Sequence, residues 1–203
     1  GSTSKSMLDT YVLEPFLNSQ GIRLIDYVFV SHADSDHING IIGLIENDAD
    51  RIGTLMLPQS QSSKKQFEQL LTAAKKKQIP VKWISKGDVF SLKTLPDLSF
   101  EVLWPSKNEK SDDTNESSLV WRLNYHDFSM LFTGDLPGDC EDELVSLKPV
   151  TVLKVAHHGS DYSTTKTFLQ QITPQLAVIS CSENNRYGHP VKQRLKRLEE
   201  AKI

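Results

Sequence analysis

Residues 32–37 read His-Ala-Asp-Ser-Asp-His and follow the apolar run Tyr27-Val28-Phe29-Val30 with one intervening serine, Ser31. Two imidazoles and two carboxylates on so short a turn repel one another and strand polar groups unless a cation holds them. A solvated loop tolerates the same residue types. Placement directly after a strand favours a ligand cluster, because a rigid strand end fixes the geometry that a metal needs. Three further segments follow apolar runs in the same way: Phe132-Thr133-Gly134-Asp135, His157-His158-Gly159-Ser160 and Tyr187-Gly188-His189-Pro190. Five of the six histidines therefore fall in strand-end contexts. The sixth, His126, lies between two strand-like runs and reads as an exposed hairpin residue.

The elements that must position these groups are legible from periodicity. Leu8, Val12, Phe16 and Leu17 have helical spacing, with Gly21 as the stop and Pro15 as a late start or a kink. Tyr27 to Ser31 reads as a strand apolar on both faces, Ile38 to Glu46 as a helix, and Thr54 to Leu57 as a strand closed by Pro58. Lys65 to Lys77 is an amphipathic helix with Phe67, Leu70, Leu71 and Ala74 inward. Strands are expected at Val81–Ile84, Val89–Leu92 and Phe100–Trp104, then a polar loop from Pro105 to Glu116. Leu119–Tyr125 and Phe128–Thr133 form a hairpin. A helix over Gly138–Leu147, strand Val152–Ala156, helix Thr165–Gln171, strand Leu176–Ser180 and helix Val191–Lys202 complete the chain. Trp83, Trp104 and Trp121 lie on strands and read as core. Antiparallel runs followed by strand–helix alternation predict an α/β domain with helices outside sheets.

At 203 residues the length suits one domain, residues 1–203, with ample core. A net charge of −3 argues against a dedicated nucleic-acid-binding module, yet it does not exclude a nuclease whose metals supply local positive charge. Asp135, Asp139, Glu141, Asp142 and Glu143 make an acidic run, most simply the solvated first half of a helix. Lys75-Lys76-Lys77 reads as a helix C-terminus. Cys140 and Cys181 are too isolated to form a motif and read as free thiols. No run of about 18 apolar residues appears, and residues 1–6 do not make a signal peptide. Gly1-Ser2 reads as an expression remnant or the end of a native turn.

Taken together, Ser-His-x-Asp-x-Asp-His, then Gly-Asp, then a late histidine resembles the metallo-β-lactamase fold family. Asn115-x-Ser117-Ser118-Leu119-Val120, Leu131-Phe132-Thr133-Gly134-Asp135, Leu153-Lys154-Val155-Ala156-His157-His158-Gly159-Ser160 and Asn185-Arg186-Tyr187-Gly188-His189-Pro190 narrow the resemblance to the hydrolase domain of ComEC-type competence DNA-uptake proteins. The resemblance runs from about Leu8 to Leu198. It implies an αββα sandwich with the site at a sheet edge, here as a fragment without the usual first and last strands. It also implies two divalent metal ions: His32 and Asp34 on the first, Asp36 and His37 on the second, Asp135 bridging, and His158, preferred over its neighbour His157, completing the second metal's ligand set. DNA, single-stranded, is the expected substrate. The parent is expected to be a cell-membrane protein carrying this domain on its outer side, beside its other domains.

This sequence departs from the common pattern by placing Asp34 where many members have histidine, and by offering between the first cluster and Asp135 only His126, on the wrong end of a hairpin. An oxygen-rich first site favours manganese over zinc, with zinc still able to bind. Metal pairs of this kind suit phosphodiester hydrolysis. Asp36 would orient the attacking water and His157 would contact the phosphate. Ser160, Ser163 and Thr164, ahead of a helix, would offer hydroxyls and amides to a phosphate or simply cap the helix. Arg186 and His189 would steady or protonate the leaving group, or else form only a tight turn. The competing readings are a phosphoesterase or a thioester or lactam hydrolase on a small substrate, and a non-catalytic binding domain.

Overall fold

The alternation of apolar strands and helices through Ile84 builds a three-stranded sheet, whereas the runs after Ser85 build a six-stranded one. In this computed structural model residues 9–144, 147–183 and 185–203 are described. Contacts divide the chain into two compact units at that point, Gly1–Ile84 and Ser85–Ile203. Gly1-Ser2, the Leu8 that opens the first helical spacing, and Val145 and Ser146 of the expected Gly138–Leu147 helix lie outside the described residues.

In the N-terminal unit a wide turn at Asp9–Leu13 leads into α1 (Glu14–Ser19). Pro15 sits in the first turn, where its missing N–H is not needed. Gly21 ends the helix at φ +65°, with its N–H on the Asn18 carbonyl and the Ile22 N–H on the Leu17 carbonyl. That is the paired closure that left-handed glycine permits. β1 (Ile25–Phe29), α2 (Ser35–Asp48), β2 (Ile52–Pro58), α3 (Glu68–Lys76) and β3 (Val81–Ile84) follow. β2 pairs parallel with both β1 and β3, so each crossover needs its helix. Leu55, Met56 and Leu57 of this central strand are fully buried, consistent with a continuous apolar run. The strand read as apolar on both faces, β1, is instead an edge strand and only half-buried. Ile42 and Ile45 of α2, with Phe67, Leu70 and Ala74 around α3, complete this core.

In the C-terminal unit β4 (Val89–Leu92), β5 (Leu95–Trp104), β6 (Val120–Tyr125) and β7 (Phe128–Phe132) are successive antiparallel neighbours. β8 (Val152–Lys154) and β9 (Leu176–Val178) then add in parallel beyond β7. Helices α4 (Gly138–Glu141), α5 (Lys166–Ile172) and α6 (Lys192–Glu200) occupy the connections and the end. Trp104, Leu131, Leu153, Phe168, Ile172 and Leu198 share one core. His126 turns the β6–β7 hairpin at φ +50° and is exposed, 3.9 Å from Asp97.

One expectation fails here. The acidic run is not a solvated helix face: Asp135 and Glu141 are buried, and α4 is a single turn. Glu141 is buried because its carboxylate has backbone partners, and the like charges of Asp139 and Glu143 at helical spacing disfavour a longer helix.

Candidate functional site

In the N-terminal unit the turn between β1 and α2 carries all four expected ligands. Asp34 occupies the N-cap position of α2, and its carbonyl accepts from the amides of His37 and Ile38. Its side chain does not cap the helix, although aspartate is well suited to that role. Its Oδ2 instead stands 3.8 Å from His32 Nε2, while Asp36 Oδ2 stands 3.6 Å from His37 Nε2. The two imidazoles lie with ring centroids 4.1 Å apart. Ser31 Oγ is 3.0 Å from His32 Nδ1 and 3.1 Å from His37 Nδ1. One hydroxyl has one proton, so it can donate to at most one ring. At least one imidazole must therefore donate Nδ1–H to it, which in a neutral ring leaves Nε2 as the ligating nitrogen. Gln61, buried, accepts from the Ala33 amide and holds the turn from the end of β2. Neither Ser31 nor Gln61 was read as functional from sequence. A hydroxyl immediately before the first histidine was the available signal for Ser31.

In the C-terminal unit Asp135 leaves the end of β7 buried, its amide on Ser118 Oγ. His157 and His158 follow β8 in consecutive left-handed conformations, φ +48° and +54°, and Gly159 continues at +81°. Non-glycine residues rarely hold that region, and such strain concentrates at functional sites. It is held by His157 N–H on the Gly134 carbonyl and Ser160 N–H on the His157 carbonyl. Gly159 is required twice over, since a Cβ there would meet Pro190 at 2.7 Å. The result aims both imidazoles at one carboxylate: His158 Nε2 is 3.4 Å and His157 Nε2 4.0 Å from Asp135 Oδ2. His158 Nδ1 lies 2.8 Å from the Ser180 carbonyl, which can only accept. Nδ1 therefore carries the proton, and Nε2 is the basic nitrogen of a neutral ring.

The segment from Ser160 to Thr165 is built inward. Ser163 Oγ donates to the Ala156 carbonyl and pairs with Ser160 Oγ at 3.3 Å; Ser160, Ser163 and Thr164 are all buried. The amides of Thr164 and Thr165 donate to the two Glu141 carboxylate oxygens at 2.5 and 2.8 Å. Thr165, not the three residues before it, caps α5 through Phe168 N–H. The protein's own carboxylate thus occupies the helix start that sequence reading offered to a phosphate. Arg194, fully buried, donates to the carbonyls of Ser160, Asp161 and Thr164, and Arg197 adds a second bond to Thr164. This frame was invisible in the sequence, where Glu141 read as part of a solvated acidic run.

His189 faces His157 at 5.9 Å between centroids, and Tyr187 stacks on His189 at 5.7 Å. Burial, then the positive potential of His157 and His158, hold the His189 pKa below its usual value against the pull of Asp135. Arg186 lies over the Tyr187 ring. Lys154 is also lowered, by burial against the opposing carboxylate of Asp135, and its Nζ donates to the Val155 carbonyl. Cys140 and Cys181 are free thiols, as expected. Burial and the surrounding carboxylates raise Cys140 to about 11.

Each unit thus offers imidazole nitrogen and carboxylate oxygen with backbone or hydroxyl groups fixing the rings, a donor set that fits a hard-to-borderline divalent cation. Over residues 4–161 the chain matches the family described as Beta-lactamase superfamily domain, and it belongs to that family. It therefore has the metallo-β-lactamase type of α/β fold. The CmlA beta-hydroxylase E377D mutant shares that fold at 12% identity, with a TM-score of 0.57 over 88% of this chain and 40% of that one.

Among curated proteins the chain is 35% identical over 195 residues to ComE operon protein 3 of Bacillus subtilis (strain 168), covering 95% of this chain and 24% of that protein. It is 32% identical over 184 residues to Competence protein ComA of Neisseria gonorrhoeae, covering 88% of this chain and 23% of that protein. The resemblance to ComEC-type competence proteins read from the motifs is borne out. The chain spans about a quarter of the length of these relatives.

Proposed function

We propose that this chain, residues 1–203 acting as one hydrolase domain, is a metal-dependent nuclease that cleaves DNA phosphodiester bonds during competence DNA uptake. The observation that carries the reading is the pair of imidazoles aimed at Asp135, with the His158 tautomer fixed by the Ser180 carbonyl. That arrangement supports His158 as a ligand and His157 as a neighbouring phosphate contact. His32, Asp34, Asp36, His37, Asp135 and His158 would hold two divalent ions, manganese in preference to zinc because the first site, with His32 as its one imidazole, is rich in oxygen donors. Bound there, the ions supply Lewis acidity toward a phosphoryl oxygen and make water acidic enough to attack near neutral pH.

The chain's own groups do the rest. Asp36 orients the attacking water through its carboxylate. His157 Nε2 donates to a non-bridging phosphate oxygen. His189, held toward its neutral form, orients the leaving group, and Arg186 offers a guanidinium to a flanking phosphate. The inward hydrogen bonds of Ser160, Ser163 and Thr164 support a framing role for them. The competence relatives support DNA as the substrate; we take that DNA as single-stranded and the parent as a cell-membrane protein that carries this domain on its outer side with its other domains. Among the described residues no helix is long and apolar enough to cross a membrane.

The test is digestion of single-stranded and duplex DNA with manganese, zinc or chelator. Manganese-dependent cleavage that is lost with chelator and in Asp135→Asn is expected. Hydrolysis of a small phosphodiester with no cleavage of either DNA would assign the chain to small esters instead.

A further inference from the structure

Tyr187 is 64% exposed, yet the turn that carries it is firmly held. Asn185 Nδ2 donates to the carbonyls of Ser182 and His189 at 2.8 and 2.6 Å, and Asn185 Oδ1 accepts the His189 amide at 2.8 Å. Val191 N–H on the Gly159 carbonyl ties the far end of the turn to the His157-His158-Gly159 segment. An exposed tyrosine is ordinary by itself, and Tyr11 and Tyr162 are more exposed still. Tyr187 differs in what lies behind it. Its ring stacks on His189 with 22° between planes, His189 meets His157 edge-on, and His157 Nε2 reaches to 4.0 Å from Asp135. A row of rings thus leads from solvent to the catalytic carboxylate. Arg186 lies over the Tyr187 ring, its guanidinium 4.9 Å from the centroid and its Nη2 donating to Tyr187 Oη, so it must leave the ring face to reach a phosphate.

We propose that Tyr187 is a stacking platform for a nucleobase of single-stranded DNA next to the scissile phosphate, with Arg186 on the adjoining phosphate; this rests on the nuclease reading above. The chemistry is that of base–aromatic stacking beside a cation, which is sequence-tolerant because every base has a π-face. Bases in an intact duplex are already stacked on one another and cannot present a face to the ring. The platform therefore selects single strands, and it does so without adding net positive charge. Pinning by Asn185 sets the ring in place beforehand, so little ordering cost falls on binding.

The experiment compares binding of a fluorescent oligothymidylate with a tetrahydrofuran abasic strand of equal length, by anisotropy in chelator so that nothing is cleaved. The two carry the same phosphates and differ only in bases. The whole chain should prefer the base-bearing strand, Tyr187→Ala should lower that preference about 5- to 150-fold, and Tyr187→Phe should keep it. With manganese, Tyr187→Ala should raise KM for the oligothymidylate and leave bound metal unchanged. Equal affinity for the two strands in a protein that still cleaves DNA overturns the platform and leaves the nuclease intact. Hydrolysis of bis(p-nitrophenyl) phosphate with neither binding nor cleavage of DNA overturns both.

Discussion

Ser31 is the residue whose role follows most directly from the chemistry of its neighbours. Its hydroxyl touches Nδ1 of both His32 and His37, and by accepting from both it would present both Nε2 atoms as metal ligands. Removing such a partner typically costs about 10–100-fold in metal affinity. Ser31→Ala is therefore expected to weaken manganese binding by that range in a calorimetric titration, and Ser31→Thr to restore it. Unchanged affinity in the alanine variant would make the contact incidental. The neighbouring histidines 157 and 158 separate by the same logic. His158→Ala should deplete bound metal, whereas His157→Ala should keep metal and slow turnover by about 10²–10⁴. Metal analysis giving the reverse pattern would exchange the two assignments. The ligand types were legible in sequence because Asp and His clustered after apolar runs; the groups that fix their tautomers were not. Ser31 looked like a strand residue, and the Ser180 partner is a backbone carbonyl that has no side-chain signature.

At the scale of elements, the strands and helices of the site were largely readable, since hydrophobic period survives in a single sequence. α3, β3, β4 and the β6–β7 hairpin fall close to their expected ranges. In the loop between β8 and α5 the start of the helix looked open to a phosphate, but Glu141 from α4 takes the amides of Thr164 and Thr165. Burial holds the Glu141 pKa above the usual carboxylate range despite those amides and Arg194. A group whose pKa is raised by folding binds its proton more readily in the folded state. Its stabilising contribution is present below the unfolded pKa and is lost as pH rises through the folded one. Glu141→Gln cannot titrate. The stability of the wild type relative to this variant should therefore fall as pH rises from the ordinary glutamate range, as read by urea midpoints. A constant difference across that range would show that Glu141 titrates as it does in the unfolded chain. Arg194→Met, on α6, leaves the loop carbonyls of Ser160 and Asp161 unsatisfied, each worth about 1–3 kcal/mol, and should lower the unfolding free energy by at least one such amount.

At the scale of the whole molecule, charge limits how DNA can be held. The chain carries 23 basic and 26 acidic side chains, for a net charge of −3. The order of strand and helix patterns predicted the α/β class, but length and composition could not reveal that the chain forms two compact units, because contact density is a property of tertiary packing. Nor could they separate surface charge from buried charge: Arg194 and Glu141 count toward the total yet are fully engaged with backbone. Fewer cations are therefore available to phosphates than the composition suggests. Single-stranded DNA releases counterions with a log–log slope of about −0.7 per neutralised phosphate. With Arg186 and at most a few other cations in contact, the slope of binding against salt should be near −2, as about three phosphates would give. Stacking on Tyr187 adds affinity without steepening it, because no counterion is displaced when a ring meets a base. Affinity for oligothymidylate measured from low to moderate salt should accordingly fall gently. The Tyr187→Ala line should run parallel below the wild type, and Arg186→Ala should flatten the slope by about one phosphate. A wild-type slope several times steeper would mean that DNA is held along a basic track rather than at a few phosphates beside the metal ligands.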